Sequence, residues 1–339
     1  MIRIYYSFFI CIAFSMATMA QGNIKGQLSL LYYNADNLFD ITDDRGNADD
    51  EYLPVALKAW DANRYKAKVS AIAENISLAG NFTQPDIIGL CGVENKKVIK
   101  DILAERRLRR ADYTIHMPES EGTGAALVVK KDLVTVEEMV KISIDSAFLG
   151  LQNAYDYSIL YLRSDVKGLG KCHFFLNDWP GIKNNARAPE NTKIGAAIAL
   201  RKHIDAILNF ERDAKIIIMG TFYDEPTNRS LMTILNATNK RKNLDHRDLF
   251  NLFYDAHNIR GEGTYIMNDT WLMWDQIIVS SPLINESRDY FIEAGSASVF
   301  MPDEIHEDKG KLVSTYRGDE YTGGTSAHLP VYCVIRKRE

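Results

Sequence analysis

The sequence is poor in cysteine, has no basic excess and no linker, and carries only one long apolar run. Four cysteines occur in 339 residues; Cys11 lies in the N-terminal apolar stretch, which leaves Cys91, Cys172 and Cys333. None forms a Cys-x-x-Cys pair, and an odd count argues against a disulfide framework. Each sits in or beside an apolar strand-like run, where a thiol packs as a small hydrophobe. The net charge is -5 and the pI about 5.9, so no global basic field favours nucleic acid. A nuclease would need only a local basic rim, but Arg106–Arg110 and Lys240–Lys242 read as solvated faces. No repeat and no Pro/Gly/Ser-rich linker divides residues 21–339, so one domain is expected. After the first twenty residues no apolar run approaches the ~18 residues that a membrane span needs. Against these absences stand 46% hydrophobic and 25% charged residues, an ordinary globular balance with ample material for a core.

Residues 1–20 are a separate unit. Arg3 is followed by the apolar run Ile4–Phe14, and small residues gather at Ala17–Ala20. A short positive region, an apolar segment and a small-residue exit make a secretory signal peptide. The expected mature protein, residues 21–339, is therefore exported, to the periplasm or beyond, with no transmembrane segment once the signal is removed.

Strand and helix patterns interleave along the rest. Leu28–Asn34 reads as a first strand, followed by a polar acidic loop through Asp50. Residues 58–79 carry Val69, Ile72 and Ile76 at helical spacing, with Lys66, Lys68 and Glu74 elsewhere on the wheel. Ile87–Glu94 is a second buried strand, and 96–108 a short helix. Runs at 112–117, 124–130, 133–143, 156–163 and 171–177 suggest successive strands. A long amphipathic helix over 191–210 precedes Ile216–Met219, four apolar residues that run into Gly220 and a polar turn ending at Pro226. That is a strand buried on both faces delivering a loop, and such loops usually carry the chemistry of α/β proteins. Leu231, Leu235 and Leu249 suggest further helical packing; 276–279 and 330–335 are the last strands.

At this point the order of motifs resembles the endonuclease/exonuclease/phosphatase superfamily, with its deoxyribonuclease-I-like fold. Tyr33–Asp40 is similar to Tyr-Asn-x-Glu-Asn-Leu-Phe-Asp, and Asp86–Asn95 to Asp-Ile-Ile-Gly-Leu-Gln-Glu-Val-Glu-Asn. Asn177–Ile182 resembles Asn-His-Trp-Pro-Ser-Arg, and Gly220–Pro226 resembles Gly-Asp-Phe-Asn-Asp-x-Pro. Gly263–Tyr265 with Trp271–Ser280, and Thr315–Val331, look like the two closing motifs. The resemblance implies a four-layer α/β sandwich, two packed mixed β-sheets flanked by helices.

It also implies phosphoester hydrolysis, with a divalent metal, usually Mg²⁺, held by carboxylate and amide oxygens. A histidine oriented by an aspartate would prepare the attacking water. Carried over position by position, Asn34 is retained, as is the pair His328 and Asp275. The metal glutamate falls at Gly92, the middle histidine at Asp178, and the aspartate and asparagine of the fourth motif at Thr221 and Tyr223. The aspartate before the final histidine falls at Ala327. Mg²⁺ accepts few substitutes for carboxylate oxygen, so the reading is a pseudoenzyme that serves as a binding or scaffold protein, with no cofactor. An unknown ligand or protein partner would occupy the former cleft, bordered by Asn34, Asp36, Glu94, Tyr157, Tyr223 and Trp274. The alternative is a rebuilt phosphodiesterase, nuclease or phosphatase site using His328, Asp275, Glu94 and Asp178 with Mg²⁺ or Mn²⁺. Glu94 enters it because two residues along a strand return to the same face, ~7 Å further on.

Overall fold

The computed structural model describes residues 26–44, 49–82, 84–120, 122–144, 158–183, 186–242, 244–302 and 312–338. Residues 1–20, where a signal peptide is expected, and Tyr157 lie outside the described residues. In chain order the elements are β1 (Gln27–Leu38), α1 (Ala62–Leu78), β2 (Ile87–Val93), α2 (Lys96–Ala104), β3 (Tyr113–His116), β4 (Gly124–Lys130) and β5 (Val134–Ser143). Then come β6 (Ser158–Val166), β7 (Gly170–Asp178), β8 (Ile182–Lys183), β9 (Ala186–Arg187), α3 (Glu190–Phe210) and β10 (Lys215–Thr221). β11 (Ala237–Thr238), β12 (Leu249–Asn251), α4 (Tyr254–Asn258), β13 (Tyr265–Met267), β14 (Thr270–Leu272) and β15 (Asp275–Ser280) follow. The chain ends with β16 (Tyr290–Ile292), β17 (Ser298–Val299), β18 (Tyr316–Arg317), β19 (Glu320–Tyr321) and β20 (Val331–Lys337).

Two seven-stranded mixed sheets carry the fold: β16-β20-β1-β2-β4-β3, with β17 on β20, and β11-β12-β15-β10-β7-β6-β5. Strand alternation decides what each face meets, because successive side chains point to opposite sides. Along β1, Leu30 and Tyr32 face the second sheet, whereas Leu31 and Tyr33 pack under α1 and α2 with Ile72, Ile76 and Ile99. Along β10, Ile217 and Met219 join that same inter-sheet core, whereas Ile216 and Ile218 meet Ala197, Leu200 and Ile204 of α3. Three hydrophobic clusters thus separate four layers, helix, sheet, sheet, helix. A strand sandwiched twice must be apolar on both faces, which is why Ile216–Met219 shows no polar alternation.

The helices start where local chemistry allows. Asp61 caps α1 by accepting from the amides of Asn63 and Arg64, so that helix begins at Ala62 and not at 58. Asn95 caps α2 through the Val98 amide, and α2 ends at Ala104, short of the expected 108. Leu231 lies in a wide helical turn, but Leu249 opens β12, a strand where helical packing was expected. Lys68, read as part of the polar face of α1, is instead only 4% exposed. Cys91, Cys172 and Cys333 are buried free thiols.

Topology gathers the site. β1 runs parallel to β2, and β10 parallel to β7, so the carboxyl ends of these strands open on one side of the sandwich. β15 runs antiparallel to β10 with Asp275 opposite Thr221, and His328 precedes β20, the antiparallel neighbour of β1. At the other end of that pair, the Lys337 amide donates to the Gly26 carbonyl at 2.7 Å.

Candidate functional site

Thr221 is the knot of the site. Its hydroxyl donates to Asp275 Oδ1 at 2.6 Å and accepts from Asn34 Nδ2 at 2.9 Å. The Tyr32 hydroxyl lies 2.8 Å away; because the single Thr221 proton is committed to the carboxylate, Tyr32 must be the donor there. Thr221 and Asp275 are fully buried, and Asn34 is 3% exposed. Asn34 Oδ1 in turn accepts from the Asp36 amide at 2.9 Å. The other oxygen of Asp275 meets His328 Nδ1 at 2.8 Å. Burial disfavours the charged imidazole, but the touching Asp275 carboxylate, with Asp36 and Asp178 behind it, outweighs that effect and raises the His328 pKa. Thr264 Oγ1 accepts from the amides of Trp274 and Asp275 at 3.2 and 3.0 Å, which fixes the start of β15. Ser326 ties the His328 amide to the Asn34 carbonyl.

The family's metal set does not fit these residues. Gly92 sits in a β-bulge with φ of 66°, and a Cβ there would lie 2.6 Å from Asn34 Oδ1 and 3.0 Å from the Asp36 amide nitrogen. No side chain can enter that space without moving the strand ends. Thr221 offers a neutral hydroxyl already engaged three times, both oxygens of Asp275 are bonded, and Ala327 contributes only its amide, to Asp36 Oδ2 at 3.1 Å. A hard divalent ion needs several free oxygens. Among the described residues, Asp36, Asp178, Asp275 and His328 do not bring ligand atoms within 4.8 Å of one another as a group.

Asp178 stands at the end of β7, paired in register with Thr221. Burial, reinforced by Asp275 and opposed by His328, pushes its carboxyl up to about 7. It lies at the cleft, but Glu94 does not join it. The bulge and left-handed backbone at Gly92 break the strand alternation, and Glu94 lies beyond the end of β2. Its Oε2 accepts from the Asp40 amide at 2.7 Å. Burial and the neighbouring Asp40, Asp49 and Asp44 raise it to about 7. The four residues of the alternative site are therefore split between two neighbourhoods.

Aromatic rings fill the space over His328. Tyr223, held at φ of 49°, meets the imidazole edge-on at 5.9 Å and Trp274 at 5.1 Å. Tyr265 stacks on Trp274 at 4.3 Å and lies 5.0 Å from His328. The Arg187 guanidinium sits 5.4 Å over Trp274, and Gly181 backs Tyr223. Trp274 is 1% exposed, so it is packing beneath the cleft and not an open platform. Beneath Asp36, Lys68 donates to the Asp36 carbonyl at 2.5 Å, and burial lowers its pKa to about 8. Tyr32, Lys68, Thr264, Tyr265, Arg187 and Ser326 are site residues the sequence reading did not single out. Thr264, Tyr265 and Ser326 lie inside matched motifs, which was the available signal; Tyr32 and Lys68 read only as strand core and helix surface.

The profile of the Endonuclease/Exonuclease/phosphatase family matches residues 29–337. No curated protein sequence matches the chain. Among solved structures, a humanized D. rerio TDP2 carrying 14 mutations superposes with a TM-score of 0.57 at 13% identity, covering 92% of this chain and 99% of that one. A truncated Caenorhabditis elegans TDP2 gives 0.57 at 12% identity, covering 91% and 97%. A mannosyl-6-phosphatase from Bacteroides thetaiotaomicron gives 0.55 at 14% identity, covering 91% and 99%. At such identities the likeness speaks to the fold.

Proposed function

The chain belongs to the endonuclease/exonuclease/phosphatase family, and from that premise we propose that it is an exported member that has given up metal-dependent phosphoester hydrolysis and uses the former catalytic cleft to bind. Family members typically hold a divalent metal in this cleft. Here the observation that supports the reading most is the closed network on Thr221, which engages Thr221 Oγ1 and Asp275 Oδ1, two of the oxygens that such an ion would draw on. Gly92 adds to it, since it supplies no carboxylate and Asn34 Oδ1 lies within 2.6 Å of where its Cβ would be. The ligand class that suits the remaining surface is a sugar, a peptide or another flat group laid against Tyr223 and Tyr265 beside the exposed Arg187. Nucleic acid is disfavoured by the net charge of -5.

The test uses residues 21–339 with DNA, a phosphodiester and sugar phosphates, including a mannose 6-phosphate because one structural neighbour is a mannosyl-6-phosphatase. Each is offered Mg²⁺, Mn²⁺, Ca²⁺ and Zn²⁺ in turn. The expected result is no turnover above background. A second reading, hydrolysis by a rebuilt site, is favoured by the retained His328–Asp275 pair, whose Nε2 has no protein partner among the described residues. Turnover abolished by His328→Ala would establish it and end the first. Export is checked by fractionation: intact protein still carrying residues 1–20 in the cytoplasm would remove that part.

A further inference from the structure

The segment between β1 and α1 holds a second cluster, none of whose residues belongs to the network on Thr221. Asp43, Asp49 and Asp50 each place a carboxylate oxygen within 4.8 Å of the other two. Asp43 and Asp50 are exposed, whereas Asp49 is only 2% exposed. Asp49 Oδ2 accepts the Asp44 amide at 3.1 Å, but Oδ1 is buried with no hydrogen-bond partner. A buried carboxylate oxygen without a donor is costly in an ordinary fold and calls for a partner. The backbone that follows it is held in place, because the Tyr52 amide closes onto the Asp49 carbonyl at 2.7 Å and Asp50–Tyr52 form a short helical turn. Nearby lysines are engaged elsewhere: Lys58 with Glu51 and Asp319, Lys97 with Asp40 and Asp101. Among the described residues no cation pairs with Asp43, Asp49 or Asp50.

We propose that Asp43, Asp49 and Asp50 bind one hard divalent cation of the Ca²⁺ class, with Asp49 Oδ1 as the anchoring ligand. The donors are all oxygen, and three carboxylates on a short loop suit the flexible coordination of Ca²⁺ better than the strict octahedron of Mg²⁺. The ion would fasten the loop that leaves the cleft strand β1, and it is independent of whether the cleft itself hydrolyses anything.

The test is a calcium titration of residues 21–339 by calorimetry, with Tb³⁺ luminescence excited through Tyr52 as a second reading. One Ca²⁺ per chain is expected, with a dissociation constant between about a micromolar and a millimolar and a raised melting temperature. Asp49→Asn removes the buried anchor; Asp43→Asn and Asp50→Asn alter exposed side chains. All three should weaken Ca²⁺ at least about tenfold, while Asp178→Asn in the cleft leaves it unchanged. Silence up to about 10 mM Ca²⁺, far above the weakest protein sites, would overturn the proposal. So would binding that survives all three loop substitutions but is lost with Asp178→Asn.

Discussion

Replacing Thr221 by valine keeps the shape of the side chain and deletes the hydroxyl on which the site converges. Three buried partners lose their contact at once: Asp275 Oδ1 loses a donor at 2.6 Å, while Tyr32 and Asn34 lose their acceptor at 2.8 and 2.9 Å. A hydrogen bond to a charged group is worth about 1.5–3 kcal/mol and a neutral one about 0.5–1.5, and stranded buried partners push toward the upper end. Thr221→Val should therefore cost about 3–5 kcal/mol, a large part of the roughly 5–15 that holds a typical protein folded. Tyr32→Phe removes one neutral bond and should cost about 1 kcal/mol. In the double variant the tyrosine hydroxyl is no longer stranded, so the losses should fall short of their sum by about 1 kcal/mol. Urea unfolding followed by circular dichroism measures all three at an unchanged slope. A cost below about 1 kcal/mol for Thr221→Val would refute the closed network, and with it the main argument against a metal here.

Other outcomes follow from the same geometry. Gly92→Glu restores the family's carboxylate in sequence but puts a side chain at φ of 66° against Asn34; it should destabilise by more than about 2 kcal/mol and bring no phosphoesterase activity, and a stable, active variant would contradict this. Asp178 has a folded pKa of about 7, above its ordinary value, so the fold is least burdened below about pH 4 and loses stability as pH rises toward 7. Asp178→Asn should thus be more stable than the parent at pH 8, by about 1–3 kcal/mol after discounting for partial exposure, with no advantage at pH 4; a difference independent of pH would oppose it. For His328 the folded pKa is also raised, so its pairing with Asp275 stabilises fully below about pH 6.5 and fades as pH climbs through the folded value. The gap between parent and His328→Gln, read from denaturant midpoints, should narrow in that direction.

Legibility from sequence followed physical rules residue by residue. Ile216–Met219 was readable as a doubly covered strand because two packed faces demand apolar side chains at every position. The ordered motifs located Asn34, Asp275 and His328, and the structure brings them together through Thr221. Glu94 was misplaced because strand alternation was extended across Gly92, where the bulge resets the count. Lys68 looked like helix surface because wheel position records angle, not what a neighbouring loop covers; the Asp36 carbonyl comes from a distant strand end. Leu249 carried no periodic signal, since a three-residue strand is too short to show one. The unpaired oxygen of Asp49 was invisible for the same reason as any unmet hydrogen bond: composition counts donors, and only coordinates show where they point.

The antiparallel pairing of β1 with β20 also governs how the protein can be handled. Gly26 and Lys337 meet at the start of β1, and the cleft residues Asn34 and Asp36 stand at the far end of the same strand. Both ends of the described domain thus leave from one pole, with the cleft at the other. A purification tag, surface tether or fluorescent fusion at either end would leave the cleft facing outward. A short bridge between the two ends would permit a rearranged chain with new termini in a surface loop, and immobilisation through that pole would present every molecule to a ligand in the same orientation.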